Sequence, residues 1–341
     1  MAKVKGLVVQ VPKADGEGAK NKLREAGALD PRRIVSSDSE YVYIPVLEEI
    51  EGFENIEYEL EEKALRKSFK DLLAEKFGGE VAGGILSSYD VVGDIAIIQI
   101  PKEISKHEEE IGELLLRADN KIKVVLKKAG GREGEFRITK LVYLAGEKRT
   151  ETEYVENGVR MRLDVAKAYF SPRLGTERKR IMDEVGDKEN VLILFAGVGP
   201  FALEIGKKKP NAKVVGIELN PEAVKYFKEN IRLNKLKNVS AELGDAKKVV
   251  KEKFASWADR IAMPLPMGAE EFLDSAFLAA KPGCIIHFYK LLEKEGGFEK
   301  AKGLVEAAAK KADRNIEFIF EKEVRPYSAA KAQVVLDFRV D

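Results

Sequence analysis

The stretch Val191-Leu-Ile-Leu-Phe195-Ala-Gly197-Val-Gly199-Pro-Phe201 carries an apolar run into a turn holding two glycines, and a helical segment follows. A short apolar run without alternation reads as a strand buried on both faces. Glycine suits the turn because a ligand can then approach the backbone where a Cβ would collide. The same rhythm continues downstream, with strand-like runs at 190–195, 212–218, 237–242, 259–263 and 283–288 separated by helical segments. Such alternation predicts a parallel sheet with helices on both faces. Two further strands are expected at Ile316–Val324 and Gln333–Val340, joined by Arg325-Pro326-Tyr327. That joint is too short for a crossover helix, so the final pair is antiparallel.

Two acids extend the signal from the glycine turn. Val214-Val-Gly-Ile-Glu218-Leu219-Asn220-Pro221 places Glu218 at the end of the second strand. A carboxylate there can accept hydrogen bonds from both ribose hydroxyls of a nucleoside. Asn220 with Pro221 is a helix start, which is its ordinary role. Asp245, in Leu243-Gly-Asp-Ala246, follows the third strand and either accepts from an adenine amine or caps the next helix. A nucleoside cofactor is therefore expected against Phe195, Gly197, Val198, Gly199, Glu218, Leu219, Asp245 and Ala246. The third glycine of the dinucleotide fingerprint is missing, since Phe201 and Ala202 occupy that stretch. Five parallel strands closed by an antiparallel pair fit the methyltransferase variant of the Rossmann-like sheet better than the dehydrogenase variant.

Upstream, residues 1–60 read as a small α/β unit, with a strand at Lys5–Val11, a helix at Asp15–Ala26 and one or two strands in Arg33–Val46. The Glu-rich stretch from Glu48 to Glu62 reads as a linker. A middle α/β unit is expected over 63–155. Its readings are a helix at Ala64–Lys76, glycines at 78–79 and 83–84 bracketing a turn, a strand at Asp94–Ile100, a helix at His107–Ala118, and strands at Val124–Lys127 and Phe136–Leu144. The nucleoside-binding domain then takes residues 156–341.

Composition narrows the class further. The chain has 341 residues, 45% hydrophobic and 34% charged, with a formal net charge of +1. Lys and Glu dominate, and glutamine occurs only at Gln10, Gln99 and Gln333, a bias resembling proteins from hot environments. Cys284 is the single cysteine, which excludes an internal disulfide and a cysteine-based zinc site and fits a reducing cytoplasm. No stretch approaches the ~20 apolar residues that span a bilayer. The near-zero net charge gives no global sign of nucleic acid, so any such binding rests on local basic patches.

One further motif, Asp164-Val-Ala-Lys-Ala-Tyr169-Phe-Ser171-Pro-Arg173-Leu-Gly-Thr-Glu177-Arg178, resembles the signature of the archaeal and eukaryotic tRNA (guanine-37-N1)-methyltransferases. Phe195–Phe201, Gly134-Glu-Phe-Arg137 with Leu144-Ala-Gly-Glu147, and Ser88-Tyr-Asp-Val-Val-Gly-Asp94-Ile extend the likeness over nearly the whole chain. The resemblance implies S-adenosylmethionine as cofactor, tRNA as partner, a monomer, and Mg²⁺ as a further candidate, although no ligand cluster here supports a bound ion. It implies that the first domain recognises the tRNA body, the middle domain supports the anticodon-stem side, and the last transfers a methyl group to N1 of the guanine 3′ of the anticodon. The N1 proton must leave before that atom is nucleophilic, which calls for a carboxylate base, and charge then moves to O6, which suits a guanidinium. The family pattern carries these roles onto Glu177 and Arg137. Read without it, Glu177 pairs with Arg173 or Arg180 on a helix surface and Arg137 is a solvated strand residue. Arg178 would take the methionine carboxylate or a neighbouring carboxylate, Tyr169 would pack on cofactor or base, and Arg173 with Ser171 would meet the RNA.

One departure stands out. Where relatives often have Asn-Leu-Pro, this chain has Met263-Pro264-Leu265-Pro266, so a contact from Pro264 must use its backbone carbonyl. An aminocarboxypropyl transferase of the wybutosine pathway and a silent tRNA-binding protein are the competing readings.

Overall fold

The computed structural model describes residues 3–62, 67–86, 89–134, 136 and 138–341. The chain forms two compact units, Met1–Ser68 and Phe69–Asp341. In the first, the strand Lys3–Pro12 pairs antiparallel with Tyr41–Pro45 on one side and with Glu54–Glu61 on the other. The helix Gly16–Glu25 packs Ala19 and Leu23 against Val9, Val11 and Ile44. The Glu-rich stretch expected as a linker is thus largely a sheet strand. Its acids mask a period of two, in which Ile56, Tyr58 and Leu60 share one face while Glu57 and Glu59 point outward.

In the second unit a four-stranded sheet combines Asp90–Val92, Ile95–Ile98, Val124–Glu133 and Ile138–Gly146, backed by helices Phe69–Phe77 and Glu108–Ala118. Residues 79–86, expected as a turn bracketed by glycines, are helical. Gly83 has open space where a Cβ would stand, and Ala82 and Ile85 supply the apolar face that holds the segment down. A hairpin of Glu151–Glu156 and Val159–Asp164 follows.

The large sheet has seven strands: β1 (Asn190–Leu194), β2 (Lys213–Glu218), β3 (Val239–Leu243), β4 (Ala258–Met263), β5 (Ala280–Glu293), β6 (Ile316–Pro326) and β7 (Lys331–Val340). Their order is β3-β2-β1-β4-β5-β7-β6, with β1 to β5 parallel and β7 antiparallel to both neighbours, as the strand–helix rhythm predicts. Helices α1 (Gly175–Glu184), α2 (Pro200–Lys208) and α3 (Pro221–Leu233) cover one face, and α4 (Ala246–Lys253), α5 (Leu273–Ala279) and α6 (Gly297–Lys311) the other. In β1, Val191 and Ile193 enter one core while Leu192 and Leu194 enter the other, which is why that run is apolar at every position. The strand order reverses at β1, so a crevice opens beyond the carboxyl ends of β1 and β4, where open α/β sheets bind ligands. Among the described residues no helix is long and apolar enough to cross a membrane.

Candidate active site

A cavity of about 250 Å³ occupies that crevice. Four strand ends contribute to its wall: Phe195 and Gly197 after β1, Glu218, Leu219 and Asn220 after β2, Gly244, Asp245 and Ala246 after β3, and Pro264, Leu265 and Pro266 after β4. Tyr169 and Phe136 complete it. Most of the residues expected at a cofactor therefore converge. Asn220, Phe136 and Phe272 were not foreseen there, since a helix cap and two scattered aromatics carry no ligand signal in sequence.

The local geometry explains these positions. Glu218 accepts from the Gly197 backbone N–H at 2.7 Å through Oε2 and from Asn220 N–H at 2.8 Å through Oε1. It thus ties the glycine turn to its own strand end, while each oxygen keeps a second lone pair. Burial pushes its carboxyl above the ordinary range, with the amides of Asn220, Gly197 and Leu219 opposing the shift. Phe195 has φ +62°, a strained conformation for a bulky residue, and sets its ring edge-on to Phe272 with centroids 4.7 Å apart. Asp245 caps α4 by accepting from Lys247 N–H at 2.7 Å, and Asn220 caps α3 while donating to the Lys167 carbonyl. Both caps therefore also line the cavity.

Val198 and Gly199, expected at the cofactor, face elsewhere. Val198 is fully buried in an apolar cluster with Ala223 and Tyr226. Gly199, at φ +92°, would set a Cβ 2.1 Å from the Phe227 ring. Its missing side chain lets α3 pack closely; at Gly197, by contrast, the nearest atom to a Cβ is the Tyr169 carbonyl at 3.4 Å.

Tyr169 also lines a larger cavity, about 670 Å³, between the Val165–Arg173 segment, the four-stranded sheet and the β6–β7 turn. Ser171 and Arg173 lie on its wall, as do Lys128 and Arg325. Asp90 takes ion pairs from both Arg173 and Lys128, so the cations of this wall outnumber its acid. Arg137 lies outside the described residues.

Glu177 and Arg178 line neither of these cavities. Arg178, 1% exposed, forks onto Glu156 at 2.6 and 2.9 Å and donates to the Ser171 carbonyl, taking the second of its two expected roles. Glu204 sits 3.3 Å from the same guanidinium, and burial followed by the neighbouring Glu156 raises its carboxyl to about 8. Glu177, 2% exposed, accepts from Tyr289 Oη at 3.1 Å and Arg180 Nε at 3.0 Å, with Lys322 Nζ at 3.5 Å. It is paired with Arg180, as one reading of the sequence held, but in the interior rather than on the surface. Glu184, His287 and Asp337 lie within 4.8 Å of one another, a metal-like spacing hidden in the sequence. Arg180 and Arg260 donate into that group, which suits a hydrogen-bonded chain better than a dication.

A sheet of this order with a strand-end acid over a glycine turn belongs to the S-adenosylmethionine-binding methyltransferases. Comparison with known proteins narrows the class. Residues 152–317 match the TRM5/TYW2 methyltransferase domain, 69–150 the TYW2 N-terminal domain, and 9–54 the tRNA methyltransferase 5 N-terminal domain. The chain is 37% identical over 335 residues to the tRNA (guanine(37)-N(1))-methyltransferase Trm5b of Pyrococcus abyssi, covering 98% of this chain and 99% of that one. A solved complex of aTrm5 with tRNALeu superposes with a TM-score of 0.73 at 35% identity, covering 98% and 100% of the two chains. Methanocaldococcus jannaschii Trm5 in complex with adenosine gives 0.67 at 35% identity over 98% and 99%. The chain belongs to the Trm5 family of tRNA (guanine(37)-N(1))-methyltransferases.

Proposed function

We propose that the protein transfers a methyl group from S-adenosylmethionine to N1 of guanine 37 in tRNA. The observation that carries this reading is the union of a nucleoside-sized cavity, closed by Glu218 over the Gly197 turn, with full-length likeness to enzymes of that activity. Glu218 would accept from the ribose hydroxyls and Asp245 from the adenine amine, while Phe195, Leu219 and Ala246 hold the nucleoside body. The cofactor supplies an electrophilic methyl. The chain's own groups must present N1 in line with it and remove the N1 proton.

Tyr169 belongs to both cavities, so a guanine extruded from the anticodon loop into the larger one would meet the cofactor across that ring. Arg173 and Ser171 line the larger cavity, where flanking nucleotides would pass, and Pro264 lines the cofactor cavity. Glu177 is assigned as the base. Its described neighbours Tyr289, Arg180 and Lys322 are donors, which suits a carboxylate that accepts. Arg137 is assigned to O6; Phe136, next in the chain, lines the cofactor cavity. Residues 1–60 are assigned to tRNA recognition.

The test uses tRNA transcripts with G37 or A37 and cofactor labelled either in the methyl group or in the carboxypropyl arm. Methyl label should enter only the G37 transcript, in a nucleoside identical to N1-methylguanosine. Arm label in the product would overturn the reading in favour of aminocarboxypropyl transfer.

A further inference from the structure

The side of α1 toward β5 and β7 carries charge, the buried Glu177 and the largely buried Arg180, beside the apolar Ile181 and Met182. Glu177, Arg180 and Glu184 recur at helical spacing along it. Opposite them stand His287 and Tyr289, on one face of β5, and Asp337, which pairs directly with His287 across β7. All three are essentially without solvent exposure. Buried ions are costly to desolvate unless they are paired and hydrogen-bonded.

The contacts run in series. Arg260 of β4, held by Glu189 at 2.7 Å, approaches His287 Nε2 at 2.9 Å. A guanidinium only donates, so Nε2 accepts and Nδ1 carries the hydrogen; Nδ1 lies 2.8 Å from Asp337 Oδ1, at ion-pair distance but out of hydrogen-bond alignment. The other Asp337 oxygen accepts from Arg180 Nη1 at 2.7 Å, and Arg180 Nε reaches Glu177 Oε2 at 3.0 Å. Tyr289 Oη donates to that same Glu177 oxygen. Burial first, then the Glu177 charge, holds the Tyr289 phenol well above its ordinary value, so it stays a donor. The groups facing Glu177 are therefore Arg180 on its own helix, Tyr289 from β5 and Lys322 from β6.

We propose that Tyr289 and Asp337 are positioning residues for methyl transfer: Tyr289 acts directly on the Glu177 carboxylate, and Asp337, oriented by His287, acts on it through the shared Arg180. This rests on the reading of Glu177 as the base. Each partner alters proton acceptance in a different sense. Removing the Tyr289 hydroxyl takes a donor from the carboxylate and makes it a stronger base. Removing the Asp337 charge leaves Arg180 to Glu177 alone and makes it a weaker one.

Single-turnover methyl transfer across a pH series, with Tyr289→Phe and Asp337→Asn in the full chain, separates this from a role in folding. The acid limb of the rate profile should move up by about one pH unit in Tyr289→Phe and down by about as much in Asp337→Asn. Asp337→Asn should also be roughly tenfold slower on the plateau. Calorimetric affinities for S-adenosylmethionine and tRNA should stay as in the wild type. Equal or unmoved limbs in folded variants would overturn the proposal, and if Asp337→Asn fails to fold, Tyr289→Phe alone decides. Glu177→Gln is the control. A wild-type rate there sinks the base reading itself, whereas a slow Glu177→Gln beside unmoved variants sinks only the positioning.

Discussion

Glu177 and Arg178 are neighbours on the first turns of α1, and each is sunk in a cluster of acids and arginine, but the two clusters are balanced differently. Around Arg178 two carboxyls, Glu156 and Glu204, share one guanidinium, and burial beside Glu156 raises the Glu204 carboxyl to about 8. Around Glu177 donors are in excess, since Arg180, Lys322 and Tyr289 all face it. There the second acid, Asp337, is held below the ordinary carboxyl range: burial works against its charge, but His287 and Arg180 outweigh it. The first arrangement ties a hairpin to two helices. The second surrounds a carboxylate with donors. If Glu177 is the base, as proposed, adjacent residues of one motif divide between holding the fold and serving the reaction.

The largest effect that would sharpen this contrast is on stability. Arg178→Met leaves the Glu156 charge without its partner in the interior and should cost ~3–5 kcal/mol, read as a lowered unfolding midpoint in denaturant. A midpoint like the wild type would show that the two acids adjust without the guanidinium. Next comes cofactor affinity. Glu218→Ala should lose ~1.5–3 kcal/mol, roughly ten- to hundredfold by calorimetry, and more if the Gly197 turn loosens without its acceptor. Because burial raises Glu218 and ribose donors need the ionised form, wild-type affinity should also weaken as pH falls into the acid range, and Glu218→Ala should lose that dependence.

A smaller effect concerns the first unit. A chain beginning at Phe69 should bind S-adenosylmethionine normally and methylate full-length tRNA less efficiently at one fixed salt concentration. Equal kcat/KM values would remove the first unit from RNA recognition. The smallest effect separates the two clusters by pH. Glu204 lies above its ordinary value when folded, so its contribution to stability is complete in acid and is lost as pH rises through about 8. Glu204→Gln, which is always neutral, should match the wild type in acid and flatten that loss, which runs from the ordinary carboxyl range up to about 8.

The large sheet was legible because each parallel strand is an apolar run and each crossover an amphipathic helix. The cavity was legible for the same reason, since strand ends fix where Glu218, Asp245 and Gly197 stand. The strand at Glu54–Glu61 was hidden by glutamates that occupy its outer face, and the helix at 79–86 by glycines that suggest a turn. The chain from Arg260 to Glu177 was illegible on other grounds. Arg180 and Asp337 are 157 positions apart, and only the sheet register brings them together. Gly199 in sequence suggests ligand clearance, but its neighbour is Phe227, and sequence does not say what stands beside a glycine.

The division between the two neighbours is tested most directly at Glu177 itself. Glu177→Gln keeps the shape and the hydrogen bonds from Tyr289 and Arg180 but cannot take the N1 proton, so single-turnover methyl transfer at neutral pH should fall by roughly 10²–10⁴-fold. Stability and both affinities should remain near wild type, and the defect should shrink as pH rises toward the ionisation of guanine N1. A folded Glu177→Gln protein with wild-type rate and pH profile would contradict the account and leave Glu177, like Arg178, as a member of a buried ion pair.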